Sequence, residues 1–110
     1  MTTTRRRKTL PRDPKDSEGL CQAVIKLLGR DNQRAVLDTS RALEEGHDLG
    51  DDVMTKVMRA GFTTRDTALA KPLEAIAARL ATSLRPHSRR ELGLRAAKYG
   101  YHDIAKALTA

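Results

Sequence analysis

Apolar residues recur at helical spacing from Asp16 onward, whereas the preceding stretch is dominated by charge and proline. Leu20, Val24, Leu27 and Leu28, with Ala23 beside them, share one face, which predicts a helix that stops near Gly29. Val36, Ser40 and Leu43 mark the face of a second helix, starting after Asp31 and ending near Gly46. Asp31 supplies an oxygen for the first exposed amides, and Gly46 permits the chain to reverse. Glu44 and Glu45 then fall toward solvent. A shorter helix is expected from Asp51 to Arg59, with Val53, Val57 and Met58 for packing and Gly61 as its interruption. Asp51 and Asp52 suit the positive end of that helix.

The longest regular pattern lies between Asp66 and Leu84. Leu69, Leu73, Ile76, Leu80 and Leu84 follow steps of four, three, four and four, giving a face for a central packing helix or a homodimer. Pro72 lacks a donor and crowds the preceding turn, so a break is expected with Pro72 near the new first turn. Ser88 and Glu91 form a capping-box pattern for a helix carrying Leu92, Ala96 and Tyr99. After Gly100, Ile104, Ala107 and Leu108 supply the face of a final short helix. The fold class read from these patterns is all-α, an irregular bundle of about five or six short helices. Pro11 and Pro14 among charged residues make residues 1–15 a flexible basic arm, leaving residues 16–110 as one helical domain.

Charge changes the picture because it is uneven. Residues 1–15 hold six Lys or Arg against Asp13 alone, residues 16–84 hold nine basic and eleven acidic residues, and residues 85–110 hold six basic residues against Glu91 and Asp103. The net charge of +7 therefore belongs to the two ends, which points to polyanion attraction there. No run approaches the roughly 18 apolar residues of a membrane span, and no apolar stretch of signal-peptide type follows the first basic cluster. No membrane partner and a cytoplasmic location are expected. Cys21 is the single cysteine, which excludes an intrachain disulfide and a thiolate-built zinc site; it reads as a small buried side chain.

Glu44, Glu45, His47, Asp48, Asp51 and Asp52 are the densest set of potential metal ligands. Their spacing matches neither an EF-hand loop nor a compact zinc motif, so a solvated turn between helices is expected. His102 beside Asp103, and His87 beside Ser88, place imidazoles next to a carboxylate and a hydroxyl, but adjacency does not supply catalytic geometry. The chain lacks a glycine-rich phosphate loop followed by Lys and Ser or Thr. A non-enzymatic protein without cofactor or metal is the resulting expectation.

The cations suggest binding. Arg5, Arg6, Arg7 and Lys8 could meet successive phosphates, and Arg85, Arg89, Arg90, Arg95 and Lys98 could form a charged face opposite Leu92, Ala96 and Tyr99. DNA is preferred over RNA because an ordered helical surface can span a duplex. Arg89 to Leu108 has the size of a helix-turn-helix, but His102, Asp103 and Lys106 offer its last helix few groups for base edges. An acidic protein would satisfy the same charge pattern.

Ala96-Ala97-Lys98-Tyr99-Gly100-Tyr101-His102-Asp103-Ile104-Ala105-Lys106-Ala107-Leu108 resembles the paired helices of an ankyrin repeat, and Ala42-Leu43-Glu44-Glu45-Gly46-His47-Asp48-Leu49 resembles the end of one. The resemblance implies a protein-binding helical module and a role as an adaptor. Where the family has Thr-Pro-Leu-His, this chain has Glu91-Leu92-Gly93-Leu94, and no 33-residue recurrence runs through it.

Overall fold

In a computed structural model, residues 14–109 are described, with side-chain placement from Ser17 onward. They form an all-α bundle of six short helices: α1 (Pro14–Leu27), α2 (Asn32–Glu44), α3 (Asp51–Thr64), α4 (Ala70–Ala81), α5 (Pro86–Lys98) and α6 (His102–Thr109). Short connections make the helices pair as three hairpins, α1 with α2, α3 with α4 and α5 with α6. The hairpins stack in chain order: α4 packs between α2 and α6, and α3 packs on α5.

Local chemistry explains most boundaries. α1 opens at Pro14, where the missing amide hydrogen costs no helical bond. Asp31 Oδ1 accepts from the Arg34 amide at 3.1 Å, as its capping position demands. Asp66 accepts from the Ala68 amide at 2.9 Å and starts a 3-10 turn over Thr67–Leu69, from which α4 continues with Pro72 in its first turn. α2 and α5 end alike. The amides of His47 and Tyr101 reach back to the Ala42 and Ala96 carbonyls at 2.9 and 2.8 Å, across Gly46 and Gly100 at φ 91° and 92°. Both turns have the bond pattern of a Schellman cap.

Leu69, Leu73, Ile76 and Leu80 are fully buried, so α4 is the central packing helix and its apolar face is consumed within the chain. Phe62, Met54, Met58 and Val57 of α3, Val36 of α2, Leu92 of α5 and Leu108 of α6 close around it. The Phe62 and Tyr101 rings lie 5.2 Å apart between centroids.

Three boundaries differ from the sequence reading. α1 begins at Pro14, inside the stretch 1–15 read as an arm, because proline is accepted at the first helical position. Gly61 does not interrupt α3, which runs on to Thr64. It lies where α3 meets α2 and α4, and a Cβ there would fall 2.8 Å from both Leu73 Cδ2 and Val36 Cγ2. Ser88 does not cap α5, which begins two residues earlier at Pro86, with Arg85 at the N-cap and no side-chain capping bond. Proline at the first helical position has its φ preset and fixes the start upstream of the serine.

Candidate anion-binding groove

α3 and α5 lie side by side and run in the same direction. At their amino-terminal ends, Asp52, Thr55, Lys56 and Arg59 of α3 face Ser88, Glu91 and Leu92 of α5, with Leu84 at the entrance, around a cleft of about 240 Å³. At their carboxy-terminal ends the Arg65 guanidinium carbon lies 5.5 Å from the Tyr99 ring centroid, and Lys98 Nζ lies 5.9 Å from the same centroid. Helical spacing places Arg95 on the strip that joins Glu91 to Tyr99. From Ser88 to Tyr99 this strip is about 17 Å long at 1.5 Å per residue.

Charge is graded along the groove. Asp52 stands in the first turn of α3 and Glu91 in the second turn of α5, with Arg65, Arg95 and Lys98 near the carboxy termini. The α3 dipole favours Asp52 where it stands, and the carboxy-terminal ends of both helices favour the cations. The charges of Arg65 and Asp66 also act on the Tyr101 hydroxyl. Burial and the Asp66 carboxylate push its pKa up, and Arg65 opposes them.

The cations expected on one C-terminal face are therefore divided. Arg95 and Lys98 belong to the groove strip and Arg85 is exposed at its entrance, whereas Arg89 and Arg90 border a separate cleft of about 80 Å³ with Pro86, Leu108 and Thr109. Arg5, Arg6, Arg7 and Lys8 lie outside the described residues. Lys56, Arg59 and Arg65 were not legible as site residues because they fall in the nearly neutral middle of the chain. For Lys56 and Arg59 the sequence signal is the polar helical strip 52, 55, 56, 59, to which Arg65, the residue that caps α3, does not belong.

The turn between α2 and α3 disperses the acidic set. His47 is 3% exposed, with Nδ1 2.9 Å from Ser17 Oγ, which ties α1 to this turn. Asp48 pairs with Arg79, and Asp51 accepts from Ser83 Oγ at 2.7 Å. Burial raises the Asp48 pKa, but the Gly50 amide and the Arg79 guanidinium outweigh it and hold the carboxyl below its ordinary value. Among the described residues no three His, Cys, Asp or Glu side chains gather as a metal site. His87 and Ser88 are exposed in the first turn of α5, and His102 and Asp103 are exposed at the start of α6. Among the described residues no helix is long and apolar enough to cross a membrane.

Cys21 is half-buried rather than fully buried, and its thiol donates to the Leu49 carbonyl at 3.3 Å. Burial, then the Asp48 and Glu18 carboxylates, push its pKa up. The thiolate is the reactive species, so iodoacetamide should modify Cys21 in the folded chain more slowly at pH 7.5 than in the urea-unfolded chain. The folded rate should rise at higher pH than the unfolded one. Equal pH profiles would contradict the assigned environment.

No protein family, curated protein or solved structure matches the chain.

Proposed function

We propose that this chain is a non-enzymatic binding protein, an adaptor whose α3/α5 groove docks an acidic segment of a protein partner. The observation that carries the reading is the mixed lining of the groove. The half-buried Leu84 and the Thr55 methyl offer apolar contact, while Lys56, Arg59, Arg65, Arg95 and Lys98 supply positive charge along its sides and far end. A protein segment can use both chemistries, whereas a phosphate backbone uses only the second. The stacked hairpins, with their matching turns after Ala42 and Ala96, support the ankyrin-like reading of the module.

A second reading is contact with duplex DNA, in preference to RNA, through phosphates. It is favoured by the exposure of Arg65, Arg95 and Lys98 at one end of the groove, with Arg5, Arg6, Arg7 and Lys8 adding charge from the sequence terminus.

Fluorescence anisotropy over a salt series separates the two. A labelled peptide of Glu and Asp around a central Leu should bind the full chain, and Lys56→Gln/Arg59→Gln/Arg95→Gln/Lys98→Gln should weaken it by about tenfold or more. No peptide binding at low salt, with a labelled duplex bound and a steep salt dependence, would replace the adaptor reading by the DNA reading.

A further inference from the structure

We infer that the Arg65, Lys98 and Tyr99 end of the groove is a clasp for a dianionic phosphoryl group carried by a phosphorylated side chain of the docked segment. The inference rests on the groove reading above and names the chemistry recognised at one end of it.

The backbone at Arg65 is the first observation. α1, α2 and α5 are followed by glycines in the left-handed region, Gly29, Gly46 and Gly100, at φ 85°, 91° and 92°. α3 instead turns at Arg65, with φ 54°, the one non-glycine residue of positive φ among the described residues. A side chain with a Cβ is strained there and glycine is not, so local folding alone would favour glycine. What arginine adds at this position is its guanidinium, and that group lies over Tyr99.

The second observation is the company it keeps. Lys98 Nζ approaches the same ring, so two like charges are gathered at one aromatic side chain. The adjacent acid does not neutralise them by pairing with Arg65. Asp66 Oδ1 accepts from the Ala68 amide, and Oδ2 accepts from Gln33 Nε2 at 3.1 Å. The carboxy-terminal dipoles of α3 and α5 favour the two cations beside the ring and oppose an anion, so a bound anion is held by the guanidinium and ammonium charges themselves.

The third step is the match in charge and shape. A phosphoryl group has three terminal oxygens and nearly two negative charges at neutral pH. Two oxygens can meet the guanidinium in a fork while the third meets the ammonium. A carboxylate has oxygens enough for the guanidinium fork alone.

The test titrates the full ¹⁵N-labelled chain with the N-acetyl methylamide of phosphoserine, and separately with that of aspartate. The phosphomonoester should shift the amides of Arg65, Lys98, Tyr99 and Gly100, with affinity at least about tenfold above the aspartate derivative. That affinity should rise from pH 5 to pH 7.5 as the second phosphate proton, of pKa about 6, is lost. Arg65→Gly should keep the fold, because glycine accepts the turn, and should lower phosphomonoester affinity about tenfold; Lys98→Gln should act in the same direction. Equal affinity for the two ligands, or affinity unchanged in both variants, would overturn the clasp. If the acidic peptide still docks with Lys56 and Arg59, the groove reading survives that result. If the phosphomonoester binds at Arg65 while no peptide docks, the groove reading fails instead. A duplex with unphosphorylated ends that displaces the phosphomonoester more strongly than a phosphoserine peptide would assign the site to nucleic acid and overturn the peptide proposal.

Discussion

Phe62→Ala should cost about 3–5 kcal/mol of stability, a large share of the roughly 5–15 kcal/mol available to a domain of this kind. Phe62 is the only phenylalanine and is fully buried, in the core that α4 organises. Its removal takes away transfer free energy, opens a cavity in the buried cluster, and ends the ring contact with Tyr101. Urea unfolding followed by circular dichroism should show a midpoint moved far down, with a slope close to that of the parent. A loss below about 1 kcal/mol would mean that the neighbours refill the space and that Phe62 is not a keystone.

Gly61→Val should lose about 3 kcal/mol, and Gly61→Ala should lose less but still fail to stabilise. A glycine inside a helix ordinarily costs up to about 1 kcal/mol relative to alanine, so helix propensity alone recommends the alanine. Packing opposes it, because the new Cβ would lie 2.8 Å from Val36 Cγ2 and Leu73 Cδ2. Leu73 can swing its terminal methyl, but Val36 is β-branched and buried in α2, with few alternative rotamers. Valine adds two further methyl groups to the same contact. The same unfolding assay decides, and an alanine variant more stable than the parent would show that the interhelical approach relaxes freely.

Residue-level differences show how far the sequence could be read. α2 was readable at both ends because Asp31 and Gly46 act on amides and carbonyls within a turn of themselves. Pro72 was equally readable, since its effect is exerted on the preceding turn. At α5 two local signals competed, and Pro86 set the start while Ser88 became an exposed first-turn residue. At Gly61 the local signal pointed the wrong way. The residue is small because Val36 of α2 and Leu73 of α4 come close to it, from 25 and 12 positions away in sequence.

The groove follows the same division. Arg95 and Lys98 stood out in the basic C-terminal stretch, but Arg65 lies 34 positions before Tyr99 and within the nearly neutral middle of the chain. By itself the sequence determined the helical periodicity, most turns and the charge carried by each segment, because these depend on interactions within a few residues. Only the tertiary structure decided which cations share a groove, which arginines are turned toward α6 and why Gly61 has no side chain, because Coulomb forces and steric contact depend on distance in space.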